Sequence, residues 1–200
     1  MESIGMQINK ELIGNLIVLL AEKCAPLYHT KLIKMLYLID EEAVKDSGIP
    51  ITWLDYKLWK SGPVDPAIFN IRDTFKDYVS AEKEENITGY THTVIIPKKK
   101  FEDDEFSEYD MEIINRIIET HKNDTASDLL SLTNAPGSLW DITRKENDIA
   151  FSISDFSDVS IDMKRLVEED KLKYTNYIRA FDNACFSLYL KKRSIGKTVQ

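Results

Sequence analysis

One stretch constrains the fold more than any other: residues 55–69, DYKLWKSGPVDPAIF. Tyr56, Leu58 and Lys60 alternate with Lys57 and Trp59, which predicts a short strand within residues 53–60. Ser61, Gly62 and Pro63 then supply turn chemistry, with Gly62 admitting a backbone geometry that a side chain would block. Asp65 offers an acceptor at a helix N-cap. Pro66 occupies the first helical position, where a missing N–H costs nothing. A strand, a rigid corner and a helix start are thus written into one segment, and none of its residues is a ready catalyst. The corner reads as scaffold, which raises the question of what it scaffolds.

Helices are predicted on both sides. Ile8, Leu12, Ile13, Leu16, Ile17 and Leu20 recur at helical spacing over residues 8–22, and the Ala25-Pro26 step ends that helix. Thr30 is the predicted N-cap of a second helix over residues 31–47, apolar at Leu32, Ile33, Met35, Leu36, Ile39 and Ala43 and stopped by Gly48. These two form the expected inner pair. A third helix is expected over residues 66–78. Residues 89–97 (GYTHTVIIP) are β-branched and end on proline, so they read as the antiparallel partner of the strand at 53–60. Between them SAEKEEN (80–86) reads as a solvated connector, and the charge block at 98–106 as an exposed loop.

Beyond it, a helix is predicted over 109–121. Thr125 and Asp128 form a capping box for the next, and Ser138 begins a turn carrying Leu139, Trp140 and Ile142. The serine- and aspartate-rich residues 149–162 read as an ordered connector, followed by helices at 162–169 and 173–192 and a polar, frayed tail. The expected fold class is α+β, predominantly helical, with a small antiparallel hairpin or two- to three-stranded sheet.

Composition narrows the function classes. The net charge of −8 and pI near 5.0 give a field that repels nucleic acid and suits a basic partner. Cys24 and Cys185 lie far apart in apolar surroundings, which reads as two buried thiols in a reducing cytoplasm. The most apolar run, residues 16–20, falls well short of the roughly 20 residues that span a bilayer, so no membrane segment is expected. His29, His92 and His121 lack metal-ligand spacing, and Asp103, Asp104 and Glu105 lack an EF-hand pattern. The SIGK at 194–197 lacks the glycines of a phosphate loop, and no Gly-x-Ser-x-Gly elbow occurs. No catalytic residue, cofactor or metal is assigned.

Binding candidates remain. Trp59 with Lys60 is either a surface recognition pair or, for Trp59, a lid on the core. The aromatic stripe of the last helix includes Tyr174, Tyr177, Phe181 and Tyr189. Of these the tyrosines are the expected partner contacts, because a phenol can face water and still bury area in a complex. Lys191, Lys192, Arg193 and Lys197 either touch nucleic acid or complement the helix's negative pole.

The order KLIKMLYLID, then GIPITWLDYKLWKSGPVDPAIF, resembles the Panacea, or SocA-like, domain of bacterial and phage proteins. Lys31, Leu32, Lys34, Leu36 and Tyr37 match its helix; Gly48, Pro50 and Ile51 match its turn. Tyr56, Trp59, Lys60, Gly62, Pro63 and Val64 match its corner, and residues 130–133 with Trp140 match a later segment. One departure is Asn134, where the family commonly has histidine. The resemblance covers residues 31–140 and implies a mostly helical α+β domain over 1–145, with 146–200 as a helical extension packed on it. It further implies an antitoxin that neutralises a co-encoded protein toxin by direct binding; at least one relative delivers its toxin to a protease. No catalytic site comes with it. A DNA-binding regulator of its own operon, and a hydrolase or nuclease, stay open as alternatives.

Overall fold

The computed structural model describes residues 3–85 and 89–195. The first helical stretch is divided at Asn9, where α1 (Ile4–Ile8) ends and α2 (Lys10–Lys23) begins. The cause is local: the Asn9 side chain accepts from the Leu12 N–H at 2.9 Å and starts a helix of its own. Nine consecutive residues of α2, from Ile13 to Ala21, are buried. Strand β1 (Leu27–Tyr28) runs straight into α3 (His29–Ser47), so Tyr28, not Thr30, holds the N-cap position, without a side-chain bond. The central helix is α3. Leu32, Met35, Leu36 and Ile39 are fully buried along it, and Gly48 ends it in the left-handed conformation at φ 87°.

The sheet corrects two expectations. Strand β2 (Lys57–Trp59) pairs with its own continuation β3 (Gly62–Val64), Trp59 opposite Gly62, and not with residues 89–97. The segment read as a connector is itself a strand: β4 (Val79–Glu85) lies antiparallel to β5 (Thr91–Pro97), with Val79 opposite Pro97. It forms one edge of a three-stranded sheet whose order is β1-β5-β4. Only Val79 is buried there, and the run from Glu82 to Glu85 faces solvent. Charge on an edge strand blocks further pairing, and it also hides the strand from a composition-based reading. Asn86, the last residue of the expected connector, lies outside the described residues.

The helix expected over 66–78 is two short pieces, α4 (Pro66–Phe69) and α5 (Ile71–Thr74). At the break the Asn70 amide donates to the Pro66 carbonyl at 2.9 Å, a side-chain bond that competes with helix propagation. Capping boxes open α6 (Glu108–His121) at Ser107 and α7 (Ala126–Thr133) at Thr125. Ser138 caps a true helix, α8 (Leu139–Glu146), where a turn was expected. The helix expected at 162–169 is a 3-10 turn (Met163–Val167). The last helix, α9 (Lys171–Ile195), is longer than its apolar stripe and takes in part of the expected tail. Residues 196–200, with Lys197, lie outside the described residues.

The connector at 149–162 is ordered by the hairpin. Along the free edge of β2, Leu58 N–H donates to the Val159 carbonyl at 2.8 Å and Lys60 N–H to the Asp155 carbonyl at 2.9 Å. Ile161 N–H returns to the Tyr56 carbonyl at 2.8 Å, and Ile161, Met163 and Val167 enter the core. The fold is α+β and mostly helical, with small antiparallel sheets.

Candidate partner-binding surface

The corner is held from beneath by buried polar groups. Gly62 sits at φ 90°, where a Cβ would fall 2.5 Å from Asn134 Oδ1 and 2.7 Å from Lys34 Nζ. The Lys34 ammonium, buried on α3, donates to the Pro63 carbonyl at 2.9 Å. Burial pulls its pKa down from 10.5 to about 7. Asn134, at the end of α7, donates to the Lys60 carbonyl at 3.4 Å and accepts from the Thr133 hydroxyl at 3.1 Å. The Trp140 indole N–H on α8 donates to the Trp59 carbonyl at 2.8 Å. Asp65 caps α4 through Ala67 N–H at 2.7 Å and also accepts from Asp55 N–H at 2.9 Å. The hairpin is therefore tied to α3, α7 and α8, with Asn134 as one of the tethers.

Six residues along α3 from Lys34, Asp40 fixes the approach to the hairpin. Its carboxylate accepts from Ile51 N–H at 2.9 Å, Thr52 N–H at 2.8 Å, the Thr52 hydroxyl and the Tyr56 phenol at 2.9 Å. Full burial raises its pKa to about 6 against those four bonds. The Tyr56 ring meets Tyr37 edge-on at 5.2 Å. Asp40 was not singled out from sequence, although a lone carboxylate inside the apolar face of a helix is a signal for it. Tyr56, Gly62, Pro63, Val64 and Trp140 all belong to this scaffold, the first four buried together.

On the outer side the corner carries aromatic rings. Trp59 is half-buried on the core, and its ring lies 5.0 Å from Phe69 and 4.6 Å from Phe156, both edge-on. Phe69 is 46% and Phe156 60% exposed, and Ile153, three residues before Phe156 in the chain, is wholly exposed. Trp59 is thus both lid and surface. Lys60 is exposed and pairs with Asp155 at 2.9 Å. A shallow cleft of about 250 Å³, lined by His29, Phe69 and Arg72 among others, opens beside this cluster. From sequence, Phe69 falls only within the helix expected over 66–78 and Phe156 only within the connector at 149–162. A single exposed ring has no periodic signature.

The aromatic stripe of α9 is divided along its length. Its first half docks: Lys173 Nζ donates to the Lys45 carbonyl at 2.6 Å and Asn176 to the Ser47 carbonyl at 3.0 Å, both at the negative end of α3. Tyr174 is half-buried there. Tyr177 lies 5.4 Å and Phe181 5.8 Å from the Trp53 ring. Gly48 permits the approach, because a Cβ on it would meet the Lys173 carbonyl oxygen. The second half projects Phe186 (60% exposed), Tyr189 (53%) and Leu190 (49%). Cys185, expected to be buried, is half-buried on this half, whereas Cys24 is buried.

His29 bonds the Ile68 carbonyl at 3.1 Å, and His121 pairs with Asp124 at 2.8 Å. Asp103, Asp104 and Glu105 are exposed. Among the described residues no group of three acidic, histidine or cysteine side chains is placed to hold a metal ion, and no helix is long and apolar enough to cross a membrane. A family model described as "Antitoxin SocA-like, Panacea domain" matches residues 32–141. No curated protein and no solved structure matches the chain.

Proposed function

Since the chain belongs to the SocA-like Panacea domain family, we propose that it is a cytoplasmic antitoxin that neutralises a co-encoded protein toxin by direct binding. The observation that carries this reading is the aromatic cluster of Trp59, Phe69 and Phe156, partly exposed on a corner tied to α3, α7 and α8. Aromatic side chains of this kind anchor interfaces, and rings fixed in advance lose little freedom on binding. Lys60, beside Trp59, is the polar member of the contact. The acidic balance of the chain favours a basic toxin by steering its approach. Delivery of the bound toxin to a protease would add a second partner without changing this contact. The Panacea domain occupies residues 1–145, and the extension at 146–200 contributes Phe156 to its binding face.

The test is co-expression with the product of the adjacent open reading frame. The wild-type chain should restore growth and bind the purified product. Phe69→Ser with Phe156→Ser should lose both while keeping the wild-type circular dichroism. A neighbouring product that is not toxic, or that the wild-type chain does not bind, refutes the antitoxin reading. Rescue by the double variant would refute the assigned surface alone.

A further inference from the structure

Resting on the antitoxin reading, we infer that the toxin presents an acidic side chain to the cleft beside the aromatic rings, where Arg72 and Lys83 receive it. The cleft is the one of about 250 Å³ that Phe69 also lines. Arg72 enters it from α5 and Lys83 from β4, where Lys83 stands opposite Thr93 of β5, itself a lining residue. Side chains alternate along a strand, so Ala81 and Lys83 share the cleft face while Glu82 and Glu84 turn to the other. The glutamate-rich edge thus offers its lysine to the cleft. Asp73 lines the cleft as well, against the two cations.

These two cations have no counterpart among the described residues. Neither Arg72 nor Lys83 makes an ion pair or a side-chain hydrogen bond with them. The lysines of the corner do: Lys57 pairs with Asp55 at 2.8 Å and Lys60 with Asp155 at 2.9 Å. His29 also lines the cleft, its ring 5.8 Å from Phe69 and its Nε2 3.1 Å from the Ile68 carbonyl. Burial above all, with the Arg72 charge nearby, pulls the His29 pKa down, so the neutral ring donates to that carbonyl. Arg72 and Lys83 therefore carry the positive charge. Two open cations in a chain of net charge −8 are complementary to an anion, and the anion a protein partner carries is a carboxylate. Phe69 joins this cleft to the Trp59 ring, and His29 joins it to a second cleft of about 500 Å³ lined by Tyr28, Tyr90 and Thr125 among others. A partner segment that covers the rings and continues into the second cleft meets the two cations in mid-course, which calls for a side chain and not a chain end. A basic toxin drawn in by the overall field is then fixed in one orientation by a contact of the opposite sign.

Calorimetric titration of the full chain with the purified product of the adjacent open reading frame tests it. Arg72→Glu with Lys83→Glu should weaken binding about tenfold or more, with unchanged circular dichroism because both side chains are exposed. Lys171→Glu with Lys192→Glu, both exposed on α9, makes the same change in net charge and should not weaken binding. Among single changes of the product's acidic residues to Lys, one should restore binding to the Arg72→Glu, Lys83→Glu chain. Wild-type affinity in the cleft variant overturns the inference, as does an equal loss in the α9 variant or the lack of any restoring change. Restoration by amidating the product's C-terminus would assign the cleft to a chain end and overturn the side-chain assignment. A wild-type chain that does not bind the product refutes the antitoxin reading itself, whereas binding that ignores Arg72 and Lys83 leaves that reading standing and removes this contact alone.

Discussion

The corner at Trp59 and the end of α9 both expose aromatic rings, yet they are held in different ways. At the corner the backbone that positions the rings is tied at several points: Trp59 O to Trp140, Pro63 O to Lys34, Lys60 N–H to Asp155 O. On α9 the rings ride on a helix docked at its first half against α3 and tied near its far end by Lys191 to the Gln7 carbonyl, with Phe186 and Tyr189 about half exposed. The contrast teaches that exposure has two structural meanings. Rings on a multiply tied corner are pre-organised, and changing them alters binding with little effect on stability. Rings on the open side of a helix depend on what covers them.

The largest expected effect breaks the corner. Gly62→Val puts a β-branched residue at φ 90° and drives its Cβ into Lys34 and Asn134; a loss of roughly 3 kcal/mol is expected from urea unfolding. A substitution that leaves the midpoint unchanged would show that the hairpin is not the stabilising centre.

The second effect follows from Lys34. Its folded pKa, about 7, lies below its ordinary 10.5, so between those values the unfolded chain holds more protons than the folded one. Stability therefore rises with pH across that window and carries the full penalty below it. Between pH 7 and pH 9 the gain is on the order of 2 kcal/mol. Lys34→Met should flatten that part of the pH profile; an unchanged slope would place the titration elsewhere. Asp40 acts in the other direction: its raised folded pKa of about 6 favours the folded state at low pH, an advantage lost as pH rises through that value.

On α9 the expected effect is smaller. Tyr177→Ala removes the ring against Trp53 and should cost about 1–2 kcal/mol. Hydrogen exchange should show α9 opening more readily while the corner amides keep their protection. Equal loss of protection at the corner would mean that the two regions unfold as one unit. Smallest of all, Phe156→Ser should change stability by less than about 0.5 kcal/mol, with its whole effect on partner binding, measured by calorimetry.

Much of the local structure is legible in the sequence. Asp65-Pro66 and Thr125 with Asp128 start helices where their chemistry says they should, and Gly48 stops one. What escapes is the long-range part. Nothing near Val79 announces that a glutamate-rich run pairs with residues 91–97, because an edge strand is selected for charge. Nothing near Trp59 announces that its second edge is filled by residues 155–159. Lys34 and Asp40 look like ordinary helix charges until the fold closes over them. Trp59 and Lys60 were legible as surface candidates; Phe69 and Phe156 were not, because their adjacency exists only in three dimensions.

The ties around the hairpin also set a timetable. Their partners lie 29, 74, 81 and 95 residues away in sequence, and contacts of such separation form late. During synthesis the chain emerges from its N-terminus, so β2 and β3 leave the ribosome with neither Trp140 nor the strand-like segment at 155–161 available to them. Until Ile161 has emerged the corner lacks its second edge, and Trp59 lacks the Phe156 ring that completes the cluster. A nascent chain is thus unable to present its finished aromatic face until residues 155–161 have emerged.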